Sequence, residues 1–154
     1  MNQRQFHRRI ILIEDNLGDV VLFRESLAEA GSNVDLTVFR SYDEVESAIH
    51  ELETAFKDSR MIVLLDLNLP RCSGFDIIPL FRDNPVLRHI PIVIFTSSQA
   101  PTDIMKSFQA GVNAYVPKPD DLAGYRSVAK SLVSFWLVHS LTLSAIDFST
   151  FNSQ

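Results

Sequence analysis

Three short apolar runs constrain this chain more than any other feature: Ile10–Ile13, Met61–Leu65 and Ile90–Phe95. A strand with one wet face alternates polar and apolar residues, whereas these runs do not. They suit strands covered on both faces, as in a parallel sheet. The segments between them carry helical spacing. Val20 to Ala30 places apolar residues at 20, 23 and 27 and stops at Gly31, and Tyr42 to Phe56 repeats the pattern through Val45, Ile49 and Leu52. A third helix is expected from about Gly74 to Arg82, with a kink at Pro79 because proline removes a backbone donor beyond the first turn. A fourth runs from Pro101 to Ala110, with Gly111 beyond it. Asp120 is expected to cap a fifth reaching about His139.

Two weaker strands complete the pattern, the alternating Val34–Phe39 and the short Asn113–Val116. Five strands alternating with five helices imply an α/β fold, a doubly wound parallel sheet with helices on both faces. Right-handed crossovers leave few topologies, and the flavodoxin-like order 2-1-3-4-5 is the expectation. Residues 8–139 fill this domain, and 140–154 form a C-terminal tail with no room for a helix-turn-helix output domain.

At 154 residues, 46% hydrophobic and 21% charged, the chain can bury a full core without a metal or disulfide staple. Its net charge of -5 argues against nucleic-acid binding, and Arg4, Arg8 and Arg9 read as a solvated leader. Cys72 is the sole cysteine, the N-terminus has no secretory apolar region, and no run is long enough to span a bilayer. A cytoplasmic protein without membrane contact is expected.

In open parallel sheets, ligands sit beyond the carboxyl ends of the strands. Four of the five strands end in polar groups there: Glu14-Asp15, Asp66 with Asn68, Thr96, and Lys118. Three crowded carboxylates repel unless a cation intervenes, and hard oxygen donors without Cys or His favour Mg2+ over zinc or copper. Asp15 and Asp66 would bind it directly, Glu14 through water, and Asn68 through its backbone carbonyl. A carboxylate at such an ion can attack phosphorus in line to give an acyl phosphate. The Thr96 hydroxyl and the Lys118 ammonium would then meet the charge on the phosphoryl oxygens.

Glu14-Asp15-Asn16, Asp66-Leu67-Asn68-Leu69-Pro70 with Gly74, Thr96-Ser97 and Lys118-Pro119 together resemble the signature of response regulator receiver domains. The resemblance implies a two-state switch phosphorylated on Asp66 by a sensor histidine kinase or a small phosphodonor, with Mg2+ required. It further implies that Thr96 and Tyr115 form a switch pair and that Lys118-Pro119 is a cis turn. The Asp66–Pro70 block, Asn84-Pro85 before Ile90-Pro91-Ile92-Val93, and Ser134-Phe135-Trp136-Leu137 are similar to phytochrome-associated single-domain regulators. That narrower resemblance implies a phytochrome photoreceptor kinase as donor, with a downstream phosphotransfer protein as a further partner.

The last helix carries more apolar surface than one buried face needs. Leu122, Tyr125, Ala129, Leu132 and Trp136 share a face, while Val128, Phe135 and Val138 extend beyond it. A homodimer through helix 4, strand 5 and helix 5 is expected, helped by Phe135, Trp136 and the tail residues Phe148 and Phe151. The alternative is a tail folded over its own domain. Two other functions compete. A haloacid-dehalogenase-type phosphatase also uses Asp, Thr, Lys and Mg2+, but it wants an Asp two residues after the nucleophile, on the first strand. Here that position is Asn68, after the third strand. A phosphorylation-independent pseudo-receiver lacks support because none of the required residues is missing. The protein is expected to act as a signalling phosphoacceptor and not as an enzyme with external turnover.

Overall fold

The computed structural model describes residues 7–30 and 33–140. The elements alternate along the chain as β1 (His7–Ile13), α1 (Leu17–Glu29), β2 (Val34–Phe39), α2 (Tyr42–Phe56), β3 (Ser59–Leu65), α3 (Gly74–Arg82), β4 (Ile92–Thr96), α4 (Pro101–Gln109), β5 (Ala114–Pro117) and α5 (Leu122–Leu132), followed by a π-helix over Val133–His139. The strands form one sheet in the expected order β2-β1-β3-β4-β5, and every pairing is parallel.

Why the central strands are apolar throughout is visible in their two faces. Ile11, Ile13, Val63, Leu65, Ile92 and Ile94 point into a core shared with Val45, Leu52, Ile77 and Phe81 of α2 and α3. Ile10, Leu12, Ile62, Leu64, Val93 and Phe95 point the other way, onto Phe23 and Leu27 of α1 and Tyr125 and Ala129 of α5. Odd and even positions are therefore buried alike, as the absence of alternation requires. The edge strand β2 is only partly buried. On the α1/α5 face, Phe95 packs edge-to-face against both Phe23 and Tyr125, at centroid distances of 5.9 and 5.6 Å.

Several local expectations change. Proline cannot donate to a ladder, so β4 begins at Ile92 and Pro91 contributes only its carbonyl, which accepts from Val63 N–H. Asp121, not Asp120, caps α5, its side chain accepting from Gly124 N–H at 2.8 Å. Helix α3 keeps its expected span, Gly74–Arg82, with Pro79 inside it, and is started by a capping box in which Ser73 and Asp76 satisfy each other's backbone donors. Gly31, expected to stop α1, lies outside the described residues, as do Arg4 and the tail from 141 onwards.

The largest difference is at the end of α5. Beyond Leu132 the helix widens, and Ser140 N–H donates to Phe135 O, five residues back. This shifts the buried stripe. Val133 and Leu137 become core residues, Trp136 is only half-buried, and Phe135 and Val138 are exposed. The widened turn is tied to the start of β3 by Arg60, whose Nη1 donates to the carbonyls of Leu137 and Val138 at 3.3 and 3.0 Å.

The loop after β3 admits no side chain at Gly74. A Cβ there would stand 2.5 Å from Asp66 O and 2.9 Å from Leu67 Cα, both backbone atoms that cannot rotate away. Replacement by alanine therefore pushes the start of α3 off the end of β3. Gly74→Ala is expected to destabilise the fold by about 1–3 kcal/mol, the scale of overpacking, as measured by urea unfolding. Wild-type stability in that variant would show that the loop relaxes freely.

Candidate functional site

Register brings the polar strand ends together. Ile13 pairs with Leu65, and Leu65 with Ile94, so the chain leaves β1, β3 and β4 at nearly one level. Backbone bonds extend this alignment past the strands. Asp66 N–H donates to Ile13 O at 3.0 Å, Glu14 N–H to Phe39 O at 2.9 Å, and Lys118 N–H to Thr96 O at 2.8 Å. Glu14, Asp66 and Thr96 are thereby buried at 2%, 4% and 0% exposure, while Asp15 is half-buried. Asn68 closes the loop beyond Asp66 through a bridge to Ser73, and Arg71 inside that loop adopts a left-handed φ of 65°.

Glu14, Asp15 and Asp66 each offer a carboxylate oxygen within 4.8 Å of the other two. Two ligands on opposite sides of a small hard ion at ~2.1 Å stand about 4.2 Å apart, so small side-chain rotations suffice to share one. Buried Glu14 Oε2 meets the Lys118 ammonium at 2.5 Å. Three hard carboxylate donors around a single lysine leave negative charge that a hard divalent cation would balance, and the residues fit that group. Burial pushes the Glu14 carboxyl up to about 7, with Asp66 adding to the rise and Lys118 and the Asn16 N–H opposing it.

Lys118 is the site's cation. Its Nζ donates to Asp66 Oδ2 and to Asp19 Oδ2, both at 2.8 Å, and its side chain is 9% exposed. Burial alone would lower its pKa, but Asp19, Asp66 and Glu14 together hold the ammonium above its ordinary value. The Lys118-Pro119 bond is trans, since the described residues contain no cis peptide, and the expected cis turn is corrected. Trans is the lower-energy isomer before proline, and with it the ammonium already meets its carboxylates. Pro119 still shapes the turn: a Cβ on Gly124, at the start of α5, would lie 2.4 Å from Pro119 Cβ.

Thr96 Oγ1 is 3.5 Å from Asn68 Nδ2 and accepts from Ser98 N–H at 3.4 Å. Tyr115 lies on β5 opposite Ile94, two residue pairs from Thr96, and donates its hydroxyl to Ser98 O at 2.9 Å. Phe135 and Trp136 stack edge-to-face at 4.9 Å on the terminal π-helix, distant in sequence and element from the carboxylates. Asp19 was not anticipated as part of this constellation. An acid in a first helical turn reads as a favourable charge at the helix dipole, and only the fold carries it to Lys118. The one available hint was its place in the turn directly after Glu14-Asp15.

Comparison with known proteins agrees with this geometry. The family model for the response regulator receiver domain matches residues 10–128. Response regulator Rcp1 of Synechocystis sp. is 30% identical over 138 residues, 88% of this chain and 92% of that protein. The structure of a phosphorylated cyanobacterial phytochrome response regulator, RcpA, superimposes with a TM-score of 0.76 at 29% identity, over 89% of this chain and 99% of that one. A Mn2+-bound form of Rcp1 superimposes with a TM-score of 0.72 at 28% identity, over 88% and 98%. A five-stranded parallel sheet with its acids, hydroxyl and lysine gathered at one rim, matched over three quarters of its length, places this chain in the response regulator receiver domain family.

Proposed function

We propose that this receiver domain is a Mg2+-dependent phosphoacceptor switch that takes a phosphoryl group on Asp66 from a sensor histidine kinase, of the phytochrome type. The observation that carries the reading is the Lys118 ammonium bonded to Asp66 beside the Glu14, Asp15 and Asp66 oxygens. Mg2+ supplies charge neutralisation for the phosphoryl oxygens when bound, held by Asp15 and Asp66, by Glu14 through water, and by the Asn68 carbonyl. The kinase class is supported by the similarity to Rcp1 and to the phytochrome response regulator RcpA.

In the reaction, an Asp66 carboxylate oxygen attacks phosphorus in line. The new P–O bond forms as the P–N bond of phosphohistidine breaks, and the electron pair leaves on the imidazole nitrogen, which takes a proton from solvent. Lys118 and Thr96 donate to the phosphoryl oxygens as charge develops there. Once Thr96 is engaged, Tyr115 exchanges its Ser98 carbonyl partner for an inward position and changes the α4–β5–α5 surface. Signalling then proceeds by docking, to a phosphotransfer protein or to a second copy. A dimer through α4, β5 and α5 is supported by the exposed Met105 and Phe108 of α4 and by exposed Phe135 beside half-buried Trp136. No helix among the described residues is long and apolar enough to cross a membrane.

Incubation with Mg2+ and phosphoramidate or a histidine kinase is expected to add one phosphoryl group by intact mass, transiently, and Asp66→Asn abolishes the gain. An unchanged wild-type mass overturns the reading and leaves a phosphorylation-independent docking module. Divalent binding should also depend on pH. With its carboxyl pushed up to about 7, Glu14 must lose a proton before it can serve the ion. Calorimetric affinity for Mg2+ should therefore tighten up to about tenfold as pH rises from about 6 to about 8, with proton release, and Glu14→Gln should flatten that dependence. Sedimentation should show a dimer at tens of micromolar, roughly the range of a modest interface; a monomer there removes the homodimer.

A further inference from the structure

We propose that Asp19 is a positioning residue for phosphoryl transfer: it holds the Lys118 ammonium at Asp66 and stays its partner when the phosphoryl group arrives. The inference rests on Asp66 being the phosphoacceptor and deepens that reading with a residue outside the strand-end set.

The Lys118 ammonium makes two hydrogen bonds, to Asp66 and to Asp19, and an ion-pair contact with Glu14. Two of these three carboxylates also belong to the cation cluster with Asp15, so an ion there draws on the same oxygens. Asp19 does not belong to it. When Asp66 becomes phosphorylated and Glu14 turns to the ion, Asp19 is the one carboxylate whose bond to the lysine has no competitor.

Asp19 is itself anchored through its backbone. It sits in the first turn of α1, where its N–H donates to the Asn16 side chain at 3.0 Å. Tyr125 of α5, 2% exposed, lies close enough to feel the Asp19 charge: burial first, and then Asp19, push its phenol up to about 12. The α1 and α5 helices that carry the two residues are further joined by Arg126 Nη2 donating to Glu29 Oε1 at 2.8 Å. A lysine on a four-carbon stem loses much rotamer freedom when ordered, and a fixed partner makes that ordering a property of the resting protein. Preordered charge is what accelerates transfer of a phosphoryl group. The Asp19 charge also repels an incoming anion, so Asp19→Asn and Asp19→Ala separate the two effects. Asparagine keeps the acceptor and removes the charge; alanine removes both.

The test uses the full chain with saturating Mg2+ and phosphoramidate. Asp19→Ala is expected to lower the maximal phosphorylation rate about tenfold to a hundredfold, the scale of a misplaced electrostatic stabiliser, with Mg2+ affinity unchanged. Asp19→Asn should restore most of that rate. Asp19→Ala reacting at the wild-type rate or faster overturns the proposal, and so does a loss matched by weakened Mg2+ binding. A second measurement needs no phosphorylation: the 15N-correlated ammonium signal of Lys118, one of four lysines, identified by its loss in Lys118→Arg. With saturating Mg2+ drawing Glu14 and Asp66 to the ion, it should persist in Asp19→Asn and exchange away in Asp19→Ala, and persistence in Asp19→Ala overturns the hold directly. If the signals behave as expected but the wild type takes no phosphoryl group, it is the phosphoacceptor reading that fails.

Discussion

One ammonium group among four carboxylates governs this molecule. Two carboxylates about 4 Å apart repel by about 4 kcal/mol at the effective dielectric of a protein rim, and Glu14, Asp15, Asp19 and Asp66 all converge on one end of the sheet. Lys118 can offset only part of that charge. Burial pushes the Glu14 carboxyl up to about 7, and the Asp66 charge adds to the rise. The rest of the fold can be understood as the apparatus that delivers and holds this lysine. Strand β5 ends beside Thr96, the Pro119 turn aims the chain across the rim, and α5 packs back on α1 over Phe23, Phe95 and Tyr125.

The resulting charge imbalance is chemically useful. On the proposed reading, the acidic rim would attract a hard divalent ion, and the ion would make the same rim tolerable to a phosphoryl group otherwise repelled. The site is built so that each requirement creates the next. Hydroxyl and aromatic groups stand at the adjoining strand ends: Thr96 is fully buried and linked to Asn68, and Tyr115 is tied through Ser98 to the same loop. The loop after Asp66 and the surface of α4 and β5 are thus connected through a few hydrogen bonds around Ser98.

Most of this was legible in the sequence because the signals were of the strongest kinds. Apolar runs without alternation, such as Met61–Leu65, have one good explanation, and polar residues directly after them land on one rim in any parallel sheet. What escaped was set by tertiary packing. Asp19 looks like an ordinary acid in a first helical turn, and its partner lies 99 residues away. The widened turn at Val133–His139 breaks the 3.6-residue period, so Trp136 was placed in the buried stripe that Leu137 occupies. The isomer of Lys118-Pro119, trans here, is not encoded by any spacing rule.

The Arg60 clamp on the carbonyls of Leu137 and Val138 has a geometric corollary. Arg60 stands near the start of β3 and Asp66 just past its end, so the Leu137–Val138 turn and the carboxylates occupy opposite poles of the same strand. Seven residues at ~3.3 Å rise put roughly 20 Å of rigid sheet between them. A fluorophore, affinity handle or fused module attached after residue 140 would start from the far pole and leave donor access to the acidic mouth open.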